Sequence, residues 1–121
     1  MKINPNDFTE IAWQGIIDAK DLALNENHQT LETEHLLCTV LKKNEIAIKS
    51  IERSGGSIKN LLKDIEGFIK KQPKMQKVQE SIFFGKNISS SFLRAKNIKQ
   101  SFKDNFISSE HLVISLFDDE R

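Results

Sequence analysis

The chain has 121 residues with 18 Lys and Arg, 17 Asp and Glu and a formal net charge of +1, enough for one domain with a core and too few for two independent ones. The balanced charge points away from nucleic acid and from a membrane surface, and Cys38, the only cysteine, excludes an internal disulfide and a Cys-rich zinc site. Residues 1–10 contain no apolar run of the signal-peptide kind, and no stretch approaches the roughly 20 apolar residues of a membrane span. A soluble domain of the reducing cytoplasm is expected.

Thr9 is placed to cap a first helix over residues 10–25, with Phe8 packing just outside it. Ala12, Ile16, Ala19 and Ala23 form one apolar stripe of that helix, and Trp13, Ile17 and Leu24 a neighbouring one. After a short connection, Glu32 or Thr33 caps a second helix to about residue 43, with Glu34 in its first turn and Leu36, Leu37, Val40 and Leu41 on its buried side. A third helix over 45–53 buries Ile48 and Ile51 and closes at Gly55 and Gly56, where glycine can take the left-handed conformation. Ser57 caps a fourth over about 58–71, with Ile58, Leu61, Leu62, Ile65, Phe68 and Ile69 inside.

Residues 72–81 are polar and carry the second proline, which reads as a linker, although residues 81–84 can be locally extended. Ser89 or Ser90 opens a helix to about residue 102, residues 103–107 form a loop, and Ser108 caps a helix over 109–117.

Glu34-His35-Leu36 returns as Glu110-His111-Leu112, an offset of 76 positions, and the flanking apolar residues match without a gap. Ile16 and Ile17 meet Phe92 and Leu93, Leu22 meets Ile98, and Leu31 meets Ile107. The expectation is an all-α fold made of a duplicated four-helix unit: repeat one about 1–71, the linker, and repeat two about 82–121. Partners for the third and fourth helices would fall at 118–147, so the second copy is read as truncated and the chain as a fragment of a longer polypeptide or a naturally short protein.

His35 and His111 invite a metal hypothesis, but each has its acidic neighbour one position away, where helical side chains diverge, and His28 adds no spacing of three or four. A capping role bonded to loop backbone fits better, and Cys38 on an apolar face is a small core residue. The glycines near Lys59 and Lys86 lack the spacing of a nucleotide cradle, with Glu80 where the first glycine belongs, so no ATP hydrolysis is expected. Lys70, Lys71, Lys74 and Lys77 have no interleaved aromatic residue for base stacking and read as a solvated linker. Thr9, Asp104 and Glu110, next to Phe92, Phe106 and Leu112, are either helix caps or the polar rim of an apolar peptide groove.

The two segments Leu31-Glu32-Thr33-Glu34-His35-Leu36 and Phe106-Ile107-Ser108-Ser109-Glu110-His111-Leu112 resemble the repeated motif in the N-terminal domain of the Clp family of AAA+ unfoldases. The opening Phe8-Thr9-Glu10 with Ala12-Trp13, the Gln72-Pro73-Lys74 segment, and the run from Asp104 to Glu110 look more like the ClpB disaggregase branch than the ClpA and ClpC branches, which carry Gly where Glu32 and Ser108 stand. The resemblance implies a non-enzymatic module that binds unfolded or aggregated polypeptide for a hexameric AAA+ ring. ATP and Mg belong to that ring, and the chain itself takes no metal or cofactor and is monomeric alone. It also implies that Thr9, Asp104 and Glu110 are polar substrate contacts and that Phe92 and Ile98 line the groove, with His111 standing where relatives carry Leu. The alternative is an adaptor-docking domain of a ClpA/ClpC-type protease ATPase.

Overall fold

The computed structural model describes residues 3–43, 45–72, 74 and 83–117. Among them six helices run in order: α1 (Glu10–Asn25), α2 (Thr33–Lys43), α3 (Glu45–Arg53), α4 (Ile58–Lys70), α5 (Lys86–Ser101) and α6 (Ser109–Phe117). A short 3-10 turn, Pro5–Asp7, precedes α1, and two strands of two residues each, β1 (Thr30–Leu31) and β2 (Phe83–Phe84), pair in parallel. The fold is all-α, as the periodicity implies. Of the expected linker, only Gln72 and Lys74 are among the described residues.

The helix starts follow local chemistry. Thr9 Oγ1 accepts from the Ala12 N–H at 3.2 Å, and Ser57 Oγ accepts from Asn60 at 3.3 Å, each satisfying a free donor of a first turn. Gly55, at φ +91°, supplies the left-handed residue that ends α3. One start differs from expectation. α5 begins at Lys86 behind an N-cap at Gly85, not at Ser89 or Ser90, because Ile88 belongs to its buried stripe with Ser91, Phe92 and Ala95. Serines that look like caps in the sequence instead lie inside the helix, where Ser89 and Ser90 hydroxyls bond back to the carbonyls of Gly85 and Lys86.

Helix α2 is buried on nearly every side. Leu36 and Val40 join the main core with Ala12, Ile16 and Ala19 of α1 and Phe92, Leu112 and Leu116 from the second copy. Cys38 and Leu41 face a second cluster built with Ile65 and Ile69 of α4. The remaining apolar residues of α4 are less covered than expected, and Phe68 is 47% exposed. Gly15 lets α1 approach α2 closely: the Thr39 hydroxyl donates to the Gly15 carbonyl at 2.8 Å, and a Cβ at Gly15 would meet Val40. At the equivalent crossing of α5 and α6 stand the buried Ser91 and Ser115, clamped by Arg94, which donates to the Ser115 carbonyl and the Ser91 hydroxyl.

The two copies are interlocked. Phe8, at the entry to repeat one, bridges in parallel to Ile107 in the loop of repeat two, and Phe84, at the entry to repeat two, pairs with Leu31 in the loop of repeat one. These positions correspond at the 76-residue offset, so the pairing is reciprocal. Thr9 N–H donates to the Ile107 carbonyl at 2.9 Å, and Gly85 N–H donates to the Leu31 carbonyl at 2.8 Å. Each copy therefore lends its loop to position the other copy's first helix.

Candidate functional site

The repeated loop has a detailed geometry that begins where the first helix of each copy ends. Asn27 and Lys103 both adopt left-handed backbone, at φ 57° and 58°, a conformation uncommon for residues other than glycine. The following amides, of His28 and Asp104, reach back to the carbonyls of Ala23 and Lys99, completing the same helix-ending motif in each copy. His28 and Asp104 are thereby delivered to equivalent points.

Each then meets the histidine of the repeated triplet. In repeat one, His35 Nδ1 accepts from the Glu32 N–H at 2.9 Å and His35 Nε2 lies 2.8 Å from His28 Nδ1. In repeat two, His111 Nδ1 accepts from the Ser108 N–H at 2.9 Å and Nε2 lies 2.9 Å from Asp104 Oδ2. Each imidazole staples its loop at both ends, which is the capping role inferred from the one-residue spacing of Glu and His. Among the described residues no group of three or more His, Cys, Asp or Glu is placed to hold a metal ion.

The structure draws the expected rim residues to one edge in part. The Phe8–Ile107 bridge sets the first turn of α1 beside the loop that leads into α6. Thr9 is half-buried at that junction, Glu110 is half-buried in the first turn of α6, and Asp104 is exposed and bound to His111. Ile11 (67% exposed), Phe102 and Phe106 stand out on the same segments, and the Phe102 ring lies 5.6 Å from that of His111. Phe92 is elsewhere: at 2% exposure it sits in the core with its ring against Phe8 and Phe84. His111 is also buried and presents its edge to Asp104, not to solvent. Ile98 is half-buried on α5 at the counterpart of Leu22, which packs on the α4 cluster in the first copy.

A second concavity lies apart from that rim. Thr33, Glu34, Leu37, Asp64, Ile65, Phe68 and Leu116 line a space of about 270 Å³ between α2, α4 and α6. Glu34, nearly buried, accepts from the Gln72 side chain at 2.9 Å. Glu34 was legible as a first-turn acid, but nothing local could link it to Gln72, 38 positions away. A smaller space of about 200 Å³ adjoins Cys38, Lys42 and Glu66, where burial pushes the Cys38 thiol up and the Lys42 ammonium pairs with Glu66 at 3.0 Å. A thiol held protonated in this way suits packing, not nucleophilic attack. The Glu26 carboxyl lies below its ordinary range chiefly because of the hydrogen bond from Lys74, 3.1 Å away.

Comparison with known proteins gives concordant matches. The model of the Clp repeat (R) N-terminal domain family matches residues 7–121. The chaperone protein ClpB of Prochlorococcus marinus is 40% identical over 121 residues, covering all of this chain and 14% of that protein. The chloroplastic chaperone protein ClpB3 of Arabidopsis thaliana is 35% identical over 121 residues, 99% of this chain and 12% of that protein. The chain thus spans between 12% and 14% of the length of these curated relatives. Among solved structures, the Hsp104 N-terminal domain from Candida albicans aligns with a TM-score of 0.87 at 21% identity, over 94% of this chain and 75% of that one. The N-terminal domain of ClpD from Arabidopsis thaliana aligns with a TM-score of 0.71 at 19% identity, over 98% and 80%. At such identities the likeness of the structures shows the fold alone.

Proposed function

The chain belongs to the Clp repeat (R) N-terminal domain family, and on that premise we propose that it captures unfolded or aggregated polypeptide for a ClpB-type disaggregase, as a binding module that performs no chemistry itself. The observation that carries this reading is the edge formed by the Phe8–Ile107 bridge. The segments it joins carry the exposed apolar side chains Ile11, Phe102 and Phe106 as well as the polar Thr9, Asp104 and Glu110. Apolar client side chains would lose water against the former, while the carboxylates would orient client N–H groups or cationic side chains at the edge. A small surface with few hydrogen-bonding demands is tolerant of sequence and releases readily, which suits a module that hands its client to an AAA+ ring. ATP and Mg would act in that ring. Phe92 and His111 would support the edge from beneath, Phe92 by holding Phe8 and His111 by holding Asp104.

Titration of a reduced, alkylated model protein that stays unfolded into the ¹⁵N-labelled domain tests this reading. Amide shifts are expected at Ile11, Phe102, Phe106 and Glu110, saturating with a weak, micromolar-class affinity. Unchanged shifts on this edge, or changes confined to the space between α2 and α4, would remove it.

A further inference from the structure

The two loop staples are alike in geometry but opposite in what they do with a proton. In repeat one the Glu32 N–H can only donate, so His35 Nδ1 carries a lone pair and neutral His35 holds its proton on Nε2. That proton lies on the 2.8 Å line to His28 Nδ1, which must accept, and so His28 carries its own proton on Nε2. His28 Nε2 is buried with no hydrogen-bond partner among the described residues. A further proton has two places to go. On His28 Nδ1 it would face the His35 N–H, and on His35 Nδ1 it would face the Glu32 N–H, so either one breaks a staple bond by setting donor against donor.

At His28 the surroundings do not rescue the cation. His28 and His35 are 3% and 1% exposed. At His28, Glu26 from the end of α1 and Glu34 from α2 favour a positive charge, while Lys74 beyond α4 opposes it. Glu26 is already engaged by Lys70 and Lys74, at 3.6 and 3.1 Å. Burial outweighs these charges and holds His28 below its ordinary value of 6.5. In repeat two the partner is a carboxylate whose side chain is 52% exposed, and Ser108 Oγ lies 3.2 Å from His111 Nδ1, where it can accept a hydrogen bond from an Nδ1–H. A charged His111 trades one backbone bond for an ion pair.

We propose that the His28–His35 pair is a proton-sensitive latch whose protonation opens the loop of repeat one and releases the entry to repeat two, while the Asp104–His111 staple stays closed. The released contacts are identifiable: the Gln29 and Leu31 carbonyls of this loop accept from the Phe83 and Gly85 amides, at 3.2 and 2.8 Å. Opening unpairs β2 and uncovers Leu31 and Phe84, enlarging the apolar surface in acid.

The sign follows from proton linkage. An opened loop returns His28 to its ordinary value near 6.5, whereas burial in the closed latch holds it below that, so the open form binds more protons and opening becomes easier as pH falls. Between pH 7.5 and 5.5 the opening constant should rise as His28 charges, by a factor of up to about ten.

Amide exchange of the whole chain, expressed as protection relative to intrinsic exchange at each pH, reads this directly. Protection at His35, Leu36, Phe83 and Gly85 is expected to fall severalfold, up to about tenfold, while Ile107, His111 and Leu112 hold steady. At pH 7.5, ¹⁵N imidazole spectra should show both rings of the pair in the Nε2–H form. His28→Asp, which copies repeat two, should abolish the acid dependence, and Asp104→His should install it in repeat two. Equal loss of protection in both loops, flat protection across this pH range, or an Nδ1–H ring in the wild-type pair would each overturn the proposal. Should His28→Asp not fold, the wild-type titration and Asp104→His decide the matter.

Discussion

Replacing Thr9 with Ala removes the Oγ1 that accepts from the Ala12 N–H at 3.2 Å at the start of α1. That donor is part-buried and has no intrahelical partner, so the substitution should cost about 1 kcal/mol, within the range of about 0.5–2 kcal/mol for cap deletions. An unfolding entropy of about 2.1 cal/mol/K per residue amounts to about 250 cal/mol/K for a domain of this size, so Tm should fall by about 4 °C. Thr9→Ser keeps the hydroxyl and should recover most of that loss. Thermal unfolding followed by circular dichroism, paired with urea midpoints, supplies the stability readout. Affinity for an unfolded probe at 25 °C, where the variant is still folded, separates the second role. If the hydroxyl also touches client, Thr9→Ala should weaken binding about 2- to 10-fold, as for one lost hydrogen bond, and Thr9→Ser should restore it. An unchanged Tm in Thr9→Ala, or equal losses in the Ala and Ser variants, would refute the capping argument. Unchanged affinity would strike Thr9 from the proposed rim.

Phe92→Ala removes a ring packed against Phe8 and Phe84 in the main core, and should cost about 3–5 kcal/mol of stability in urea unfolding, with Phe92→Leu recovering much of it. Lost client binding at unchanged stability would instead mean that this ring reaches the surface. Gly85→Ala sets a Cβ onto the Glu32 carboxylate, which must then leave the N-terminus of α5. The loss of that favourable dipole contact should cost about 1 kcal/mol or less. In a double-mutant cycle with Glu32→Ala the two effects should be less than additive, because the second change removes the obstacle met by the first. Strict additivity of the urea midpoints would contradict the contact.

What was legible in the sequence was what depends on neighbours along the chain. The stripe Ala12, Ile16, Ala19 and Ala23 and the caps at Thr9 and Ser57 are local, and all are found as expected. The start of α5 was misplaced because serines signal caps only when nothing else competes, and here Ile88 is required in the core one turn earlier. Phe68 looks like a core residue on the face of α4, yet whether it is covered depends on α2 and α6, and it is half exposed. The candidate site divides the same way. Asp104 and Glu110 could be placed at a loop and a first turn, but that Phe92 lies beneath the edge depends on a pairing between Phe8 and Ile107, 99 positions apart. The reciprocal pairing of Leu31 with Phe84 is equally non-local, and two-residue strands leave no alternating pattern to detect.

The repeated triplet is informative because its histidine is the invariant part of a device whose other part varies. An imidazole has two nitrogens on opposite sides of one rigid ring, so a single residue can accept from the loop's last amide and reach the residue seven positions earlier. A serine or asparagine cap could do only the first. With the backbone geometry held the same in both copies, the partner at the far nitrogen is free to set the chemistry. His28 makes a buried imidazole pair, whereas Asp104 makes a polar link whose carboxylate is half in solvent. In the second copy the staple and the proposed client contact are therefore the same carboxylate. Under the proposed function, a cationic client group drawn to Asp104 would compete with His111 for its oxygen, so client capture would be felt by the loop that positions Thr9 and α1 through Ile107.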